Sequence, residues 1–467
     1  MSPKFVILWT DVVVWAFMAL LVVYAFQVRR SPELRAIWRR VFSDAGAMAS
    51  TPVLLLCLVI TLLDSLHYQR ALPPAPGSAP GVVSYEPNTR SVLDGLLGRL
   101  VDSREATYSR PLSYVGFTKE TQVVDGVEQR VAPRLLHGGA HLKDPATEWL
   151  PDVLQRAGLG ALAGAGLALI VALGLRRWLG RDGRLPWKAA AWTFALLAVT
   201  GGALAALATQ YHPFGTDRTG NDVLYQVLKS IRTAVVIGTL ATLATLPFAV
   251  GLGLAAGWFR GWVDELIQYV YTVLSSVPNV LLIAALVLMI QVHIDQHPER
   301  FATGAERADF KLFLLCVVLG VTGWAGLCRL VRAEVLKLRE LEYVQAATAF
   351  GVSSWRIMGR HLLPNVMHLV IITTVLDFSA LILYEAVLSY VGVGVDPSMN
   401  SFGGLINQAR SEMSRDPVVW WSFSAAFVFM VALVLAINLF ADGVQQAFDP
   451  RARAFKPRLG WLRRQAG

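Results

Sequence analysis

Charge is what this chain has least of. Only 16% of its 467 residues are Asp, Glu, Lys or Arg, against about 25% in soluble domains, and the mean hydropathy is +0.49. An ordinary string of soluble domains is excluded, and length divided by a soluble domain size has no meaning here. Cysteine is nearly absent too. Cys57, Cys316 and Cys328 all fall in apolar stretches, so they read as small hydrophobic side chains rather than a disulfide or metal framework. No Gly-Lys pair opens a phosphate loop, and there is neither a His-Glu-x-x-His helix nor a Gly-x-Ser-x-Gly elbow, which removes the usual signatures of nucleotide, zinc and acyl chemistry. The first residues lack a cationic region and a small-residue cleavage site, and Asp11 interrupts the apolar run, so no removable signal peptide is expected. No repeat period is visible.

What is present is apolar sequence in membrane-sized pieces. Runs of about 17 to 25 residues suffice to cross a hydrocarbon core of roughly 30 Å as helices. About nine spans are expected, centred on residues 9 to 28, 51 to 66, 155 to 175, 189 to 209, 233 to 256, 265 to 291, 311 to 331, 366 to 390 and 419 to 441. The expected fold class is therefore an all-α integral membrane protein. Basic clusters set the direction, because Lys and Arg concentrate on the cytoplasmic side. Arg29, Arg30, Arg35, Arg39 and Arg40 follow the first span, Arg176, Arg177, Arg181, Arg184 and Lys188 follow the third, and Arg451, Arg453, Lys456, Arg458, Arg463 and Arg464 follow the last. The N-terminus is then outside and the C-terminus inside. The formal charge of +9 is explained by this topology, with membrane lipid and not nucleic acid as the partner.

That orientation divides the chain. Residues 1–66 hold two helices, and 67–154 form an extracytoplasmic segment too long for a connector. Residues 155–188 give a third helix and a basic loop, 189–451 the remaining six spans, and 452–467 a basic cytoplasmic tail. Within the outer segment, the Pro-rich stretch Leu72 to Pro80 precedes Ser91 to Val101, which has helical apolar spacing. Thr121 to Val131 reads as a hairpin around Asp125-Gly126.

Between the seventh and eighth spans lies a polar cytoplasmic loop, 334–364. Leu341 to Phe350 contains good helix formers, with Tyr343, Ala347 and Phe350 spaced as one apolar stripe. Gly351 stops this helix, Ser353 or Ser354 caps a second short one through Trp355 and Ile357, and Pro364 closes the unit before the next span. Spacing alone equally supports an amphipathic helix pair lying in the lipid interface.

The residues themselves carry a resemblance. Glu342-Tyr-Val-Gln345-Ala346-Ala347-Thr-Ala-Phe-Gly351, followed by Leu363-Pro364-Asn365, resembles the EAA loop of binding-protein-dependent ABC importer permeases, with Gln345 in place of the name-giving glutamate and His361 in place of the usual isoleucine. His212-Pro213-Phe214-Gly215-Thr216-Asp217 with Gly220-Asn221-Asp222 resembles a segment of dipeptide and oligopeptide permeases of the C type, where Asn221 replaces a common arginine. Gly261-Trp262-Val263-Asp264, Glu385-Ala386-Val387-Leu388-Ser389-Tyr390-Val391-Gly392 and Phe448-Asp449-Pro450-Arg451 continue the likeness, which spans roughly residues 189 to 451.

The resemblance implies a six-helix ABC permease core in a bacterial inner membrane, preceded by three additional helices and a small extracytoplasmic domain that the family pattern does not cover. It implies a second homologous permease, two cytoplasmic ATPase subunits that hydrolyse the ATP, and an extracytoplasmic solute-binding protein as partners, with no cofactor of the permease's own. Cargo would be di- or oligopeptides, or related solutes such as nickel chelates, opines or peptide antibiotics. Glu342, Gln345, Ala346, Ala347, Gly351, Leu363 and Pro364 would form the coupling site that engages the ATPase.

Ionisable residues inside spans mark candidate pathways. Asp377 and Glu385 lie eight residues apart on the eighth span, on neighbouring helix faces, either along an aqueous path or as packing carboxylates bonded to Ser, Thr or Arg. They would also serve the alternative of an ion-coupled secondary carrier. A structural partner of an envelope complex, using the outer domain as its contact surface, is a third class. Asp64, near a span end, reads as solvated. His293 with His297 and His137 with His141 have pairwise spacing but no further ligand, so no metal site is expected.

Overall fold

The computed structural model describes residues 4–72, 85–124, 127–179 and 185–448. A short strand, β1 (Lys4–Val6), leads into α1 (Trp9–Arg30). Ser31 then caps α2 (Pro32–Val41), its hydroxyl accepting from Leu34 N with Pro32 in the first turn. Asp44 caps α3 (Ala45–Asp64) in the same way, through Ala47 N at 3.0 Å. After α3 the chain forms β2 (His67–Gln69), β3 (Arg90–Ser91), and the short helices α4 (Val92–Leu96) and α5 (Gly98–Asp102). The hairpin β4 (Glu120–Val124) and β5 (Val127–Val131) follows.

The expected hairpin is present, with Val124 paired to Val127, while its Asp125-Gly126 turn lies outside the described residues, as do most of the Pro-rich stretch and the basic tail. β1 pairs antiparallel with β2, Phe5 opposite Tyr68, and β2 with β3. One sheet thus joins the residues before the first span to those after the second. Residues 4–6 and the segment after α3 therefore lie at the same end of the helical bundle.

The remaining helices are α6 (Pro145–Leu179), α7 (Trp187–Leu207), α8 (Val223–Phe259), α9 (Gly261–Ser276), α10 (Asn279–Asp295), α11 (Gly304–Gly323), α12 (Ala325–Leu338), α13 (Glu342–Ala349), α14 (Ser354–Ile357), α15 (Leu363–Val391), α16 (Phe402–Glu412) and α17 (Trp421–Phe448). Among the described residues, seven helical segments are individually long and apolar enough to cross a bilayer. Two bent pairs, α9 with α10 and α11 with α12, bring the number to nine. The protein is an α-helical multi-pass membrane protein, and its described residues include two small sheets.

Several boundaries differ from the sequence reading. The sixth span is not one continuous helix over 265–291: α9 and α10 meet at 89° around Val277-Pro278, where proline has no N–H to continue a helical ladder. α6 starts ten residues before the expected 155. α6 and α7 meet through small residues. A Cβ added to Gly164 would lie 2.0 Å from the Ala198 carbonyl oxygen, so only glycine allows this backbone approach. α7 packs on α3, and α3 on α17 and α8.

A buried ionic network fastens the N-terminal helices to α8. Arg232 of α8 lies 2.7 Å from Asp11 of α1 and 3.7 Å from Asp309 of α11. Asp11 also meets His67 Nδ1 at 2.7 Å, and Thr10 donates its backbone N–H and its hydroxyl to Asp309. One turn earlier on α8, Lys229 pairs with Asp64 at 3.1 Å and Asp94 at 2.8 Å. Asp64 is therefore buried and paired rather than solvated. A charge at a span end looks water-accessible in sequence, and only the neighbouring helix shows otherwise.

Candidate functional site

The 334–364 loop begins where α12 is pinned to α9. Arg332 holds Asp264 through two bonds of 2.5 and 2.7 Å, the bidentate geometry that makes Arg–carboxylate pairs strong. This gives the Asp264 of the Gly-Trp-Val-Asp motif a structural task. Arg339 donates to the Trp258 carbonyl at 2.9 Å, and Arg260 pairs with Glu340 at 2.8 Å.

α13 follows and ends in a Schellman motif: Val352 N donates to Ala347 O at 3.1 Å and Gly351 N to Thr348 O at 3.0 Å. Gly351 has φ +71, a left-handed conformation that costs any residue with a Cβ. The sequence reading of Gly351 as the stop is met by this geometry.

The two faces of α13 differ from the expected stripe. Val344, 1% exposed, is its buried residue and packs with Val335, Ile357, Met358 and Leu362, while Ala347 and Val352 sit against the same cluster. Tyr343 and Phe350 face outward, Phe350 at 87% exposure, and Trp355 joins them. The spacing argument placed Tyr343, Ala347 and Phe350 on one stripe but could not say which side of it would be covered. Glu342, Gln345, Ala346 and Gly351 are exposed, Ala347 and Leu363 half-buried, and Pro364 exposed. The Gln345 side chain donates to the Glu340 carbonyl at 3.3 Å.

Pro364 does not close the loop. It lies in the first turn of α15, directly after a π-helical turn. A π-helical turn over Met358–Leu362 connects α14 to α15, so Ser354–Val391 is one helical column. Ser353 takes the N-cap position of α14, with no capping bond from its hydroxyl. A groove of about 570 Å3 beside α13, lined by Trp258, Phe259, Arg339, Glu340, Gln345 and Thr348, escaped sequence reasoning, because Trp258 and Phe259 read simply as the end of a span.

Asp377 and Glu385 do not come together. Asp377 lines a cavity of about 380 Å3 within the helices, with Thr242, Thr245, Asn279, Thr373 and Tyr384. Glu385 is 1% exposed and accepts from the Ser389 hydroxyl at 2.7 Å, packed against α16. Two turns of helix leave the pair about 80° apart, enough to give one an aqueous wall and the other a protein interior. Of the two roles the sequence left open for Glu385, its surroundings match the packing carboxylate bonded to a serine.

At the start of α8, His212 of the His-Pro-Phe-Gly motif is buried between Asp222, at 2.7 Å from its Nδ1, and Glu105, at 3.4 Å from its Nε2. Burial alone would lower its pKa, but the two carboxylates outweigh that and raise it to about 9. Burial likewise pushes Glu105 upward, yet the His212 bond and the N–H groups of Gly138, Leu136 and His137 bring it down to about 2. The motif thus holds the segment between α5 and α6 onto the start of α8. Asn221, in place of arginine, bonds Thr219 and Asp217.

His141 pairs with Asp152 at 2.9 Å, and the His293 and His297 rings lie 4.7 Å apart. Among the described residues no three or more His, Cys, Asp or Glu side chains are grouped to hold a metal.

Residues 249–454 match the model of the binding-protein-dependent transport system inner membrane component family. The oligopeptide transport system permease protein OppC of Mycobacterium tuberculosis is 31% identical over 245 residues, 52% of this chain and 78% of its own. The chain belongs to this permease family. The dipeptide transport system permease protein DppC of Lactococcus lactis is 31% identical over 239 residues, 51% of this permease and 64% of that protein, so just under two thirds of the relative's length is spanned. The glutathione transport system permease protein GsiD of Pectobacterium atrosepticum is 30% identical over 243 residues, 52% and 74% of the two chains. About half of the permease lies outside each of these matches.

Proposed function

We propose that this permease is one half of the membrane pathway of an ATP-driven importer for di- or oligopeptides or related small solutes in a bacterial inner membrane. A second, homologous permease completes the path, two cytoplasmic ATPase subunits dock on the 334–364 loop, and a solute-binding protein delivers cargo on the face of the outer domain. The N-terminus is outside and the C-terminus cytoplasmic. Residues 189–451 are the transport core, and residues 1–188 are an addition to it.

The observation that carries this reading is the two-sided coupling loop. Val344 anchors α13 to the helices, while Tyr343, Phe350 and Trp355 form an uncovered aromatic surface beside the groove of Trp258 and Phe259. Exposed aromatic clusters beside a groove suit a protein partner. Rigid docking there transmits ATPase closure to α15, because α14, the π-turn and α15 are one column. Asp377, the charged residue of the inner cavity, serves on the path. The names of the relatives support peptides as the cargo class.

The test is Gly351→Val in the reconstituted complex. A β-branched residue at φ +71 strains the turn without meeting any neighbour within 4 Å. Insertion is retained while substrate-stimulated ATP turnover is lost. Normal stimulation in a well-inserted variant would refute the coupling role.

A further inference from the structure

The 334–364 loop and the inner cavity leave one strongly charged surface unused. α1 and α3 are both long and apolar enough to cross the bilayer, and the chain between them is short. Ser31 alone separates α1 from α2, and Phe42, Ser43 and Asp44 separate α2 from α3. Two spans bracketing α2 so closely hold it at the depth where hydrocarbon gives way to lipid headgroups. Over residues 29–44 stand five arginines, against Glu33 and Asp44 as the acidic residues.

The apolar side of α2 is already covered. Val41 is fully buried and Trp38 half-buried, and both pack in one cluster with Phe440 and Phe448 of α17 and Ile371 of α15. Trp38 also donates its indole N–H to the Tyr24 hydroxyl of α1 at 3.0 Å. These contacts fix which way α2 is turned, and its arginines are left outside. Arg29, Arg30, Arg35 and Arg40 are exposed. The Arg35 guanidinium donates to the Arg29 carbonyl, which brings its charge to the end of α1, beside Arg29 and Arg30. Among the described residues, none of these four arginines has a carboxylate within ion-pair distance, and the Asp44 carboxylate is occupied by Ala47 N at 3.0 Å.

Like charges gathered at one helix end repel one another, and a guanidinium fork matches the oxygens of a phosphate. A zwitterionic headgroup brings its own cation and leaves the surplus charge standing, whereas a net-negative one removes it. The side of α1 below the arginines is apolar. Val22 and Phe26, eight and four residues before Arg30 and so on its face, are exposed, and the Arg30 guanidinium lies over the Phe26 ring at 4.4 Å. We propose that the junction of α1 and α2 is a docking surface for an anionic phospholipid of the surrounding bilayer. Arg29, Arg30, Arg35 and Arg40 hold its phosphodiester, and its acyl chains run along Phe26 and Val22. A soluble anion makes no use of that apolar wall, and a protein partner finds the apolar side of α2 already taken. Basic clusters directly beside a span are where anionic headgroups gather. The inference goes beyond the importer reading and stands without it.

The experiment places the full chain, with its co-purified partner subunits, in nanodiscs holding equal amounts of phosphatidylglycerol and phosphatidylcholine with the same acyl chains. The complex is released gently, and the lipids it retains are counted by native mass spectrometry. Phosphatidylglycerol is retained in preference, and the double variant Arg29→Gln with Arg40→Gln lowers that preference by about fivefold for each arginine removed. This variant keeps the bond from Arg35 to the Arg29 carbonyl, so the helix end stays intact, and adding Arg35→Gln lowers the preference further. Arg176→Gln with Arg177→Gln, in the last turn of α6, removes the same charge elsewhere and leaves the preference unchanged. Equal retention of the two lipids by the unaltered protein, or an unchanged preference in the well-folded Arg29 and Arg40 variant, overturns the proposal. An equal loss in the Arg176 and Arg177 variant overturns it too, in favour of diffuse attraction between a basic protein and any anionic bilayer. Release of the phosphatidylglycerol by inorganic phosphate at the lipid's own concentration overturns it in favour of a soluble-anion site.

Discussion

Asp11 of the first span and Arg232 of α8 are 2.7 Å apart and both almost wholly buried, although 221 residues separate them in sequence. The pair ties the additional N-terminal helices to the permease helices that follow. It belongs to a set in which Asp309, Thr10, His67 and Ser65 share the same two charges.

Removing Asp11 leaves Arg232 with only the longer contact to Asp309 at 3.7 Å, a loss that runs up to the roughly 3–5 kcal/mol of breaking a buried pair. Asp11→Ala is therefore expected to lower the thermal midpoint of the detergent-solubilised protein sharply. Replacing both residues by apolar ones of similar volume recovers much of the loss. A double-mutant cycle on Asp11 and Arg232 reads the coupling directly, and strictly additive effects contradict the network.

The outer attachment responds to pH through His212 and Glu105. His212 has its folded pKa raised to about 9 from 6.5, so its contribution is complete below pH 6.5 and disappears as pH rises through about 9. Glu105 is lowered to about 2 from 4.5, so its contribution is complete above pH 4.5 and disappears as pH falls toward 2. Amide protection factors in residues 104–124 and 127–142, corrected for the intrinsic exchange rate at each pH, are expected to be highest between pH 4.5 and 6.5 and to fall toward pH 9. His212→Gln removes the alkaline fall in protection. An unaltered alkaline limb in that variant contradicts the assignment.

Phe350 and Val344 separate docking from folding. Phe350→Ala touches an exposed side chain, so stability changes by no more than about 0.5 kcal/mol while stimulated ATP turnover falls. Val344→Ala removes buried methyl groups from the cluster of Val335, Ile357 and Leu362, at about 1–2 kcal/mol of stability. Thermal melts and ATPase assays on the two variants, taken together, check this division. Equal melting losses in both would erase it.

Asp377 and Glu385 are expected to part company as well. Asp377→Asn lowers transport with little change in melting, because its side chain lines a cavity. Glu385→Leu lowers melting, because it leaves the Ser389 hydroxyl unpaired in the contact with α16. Transport assays normalised to folded protein distinguish the two outcomes.

Much of this architecture was legible in the residues. Apolar run length marked the spans, because a bilayer imposes one length scale on every helix. Gly351 announced its own turn, since a positive φ at a helix end is a local requirement. The hairpin of β4 and β5 was readable because an Asp-Gly pair between alternating residues is a local turn signal, and the ordered motifs led to the family to which the chain belongs.

Direction and partnership were not legible. The 89° bend at Val277-Pro278 arises from where α9 and α10 each find packing, and proline marks only the place. Asp64 and Asp11 looked like span-end and interrupting charges, because their cations arrive from α8, far along the chain. Asp377 and Glu385 looked equivalent until α16 covered one and left the other against a cavity. Composition and local periodicity by themselves determined that the protein lives in the membrane, and where its helices begin to turn. Which charges are paired, and which face of α13 is bare, only the tertiary structure decided, since a Coulomb pair or a buried face depends on the neighbour's position and not on the residue that seeks it.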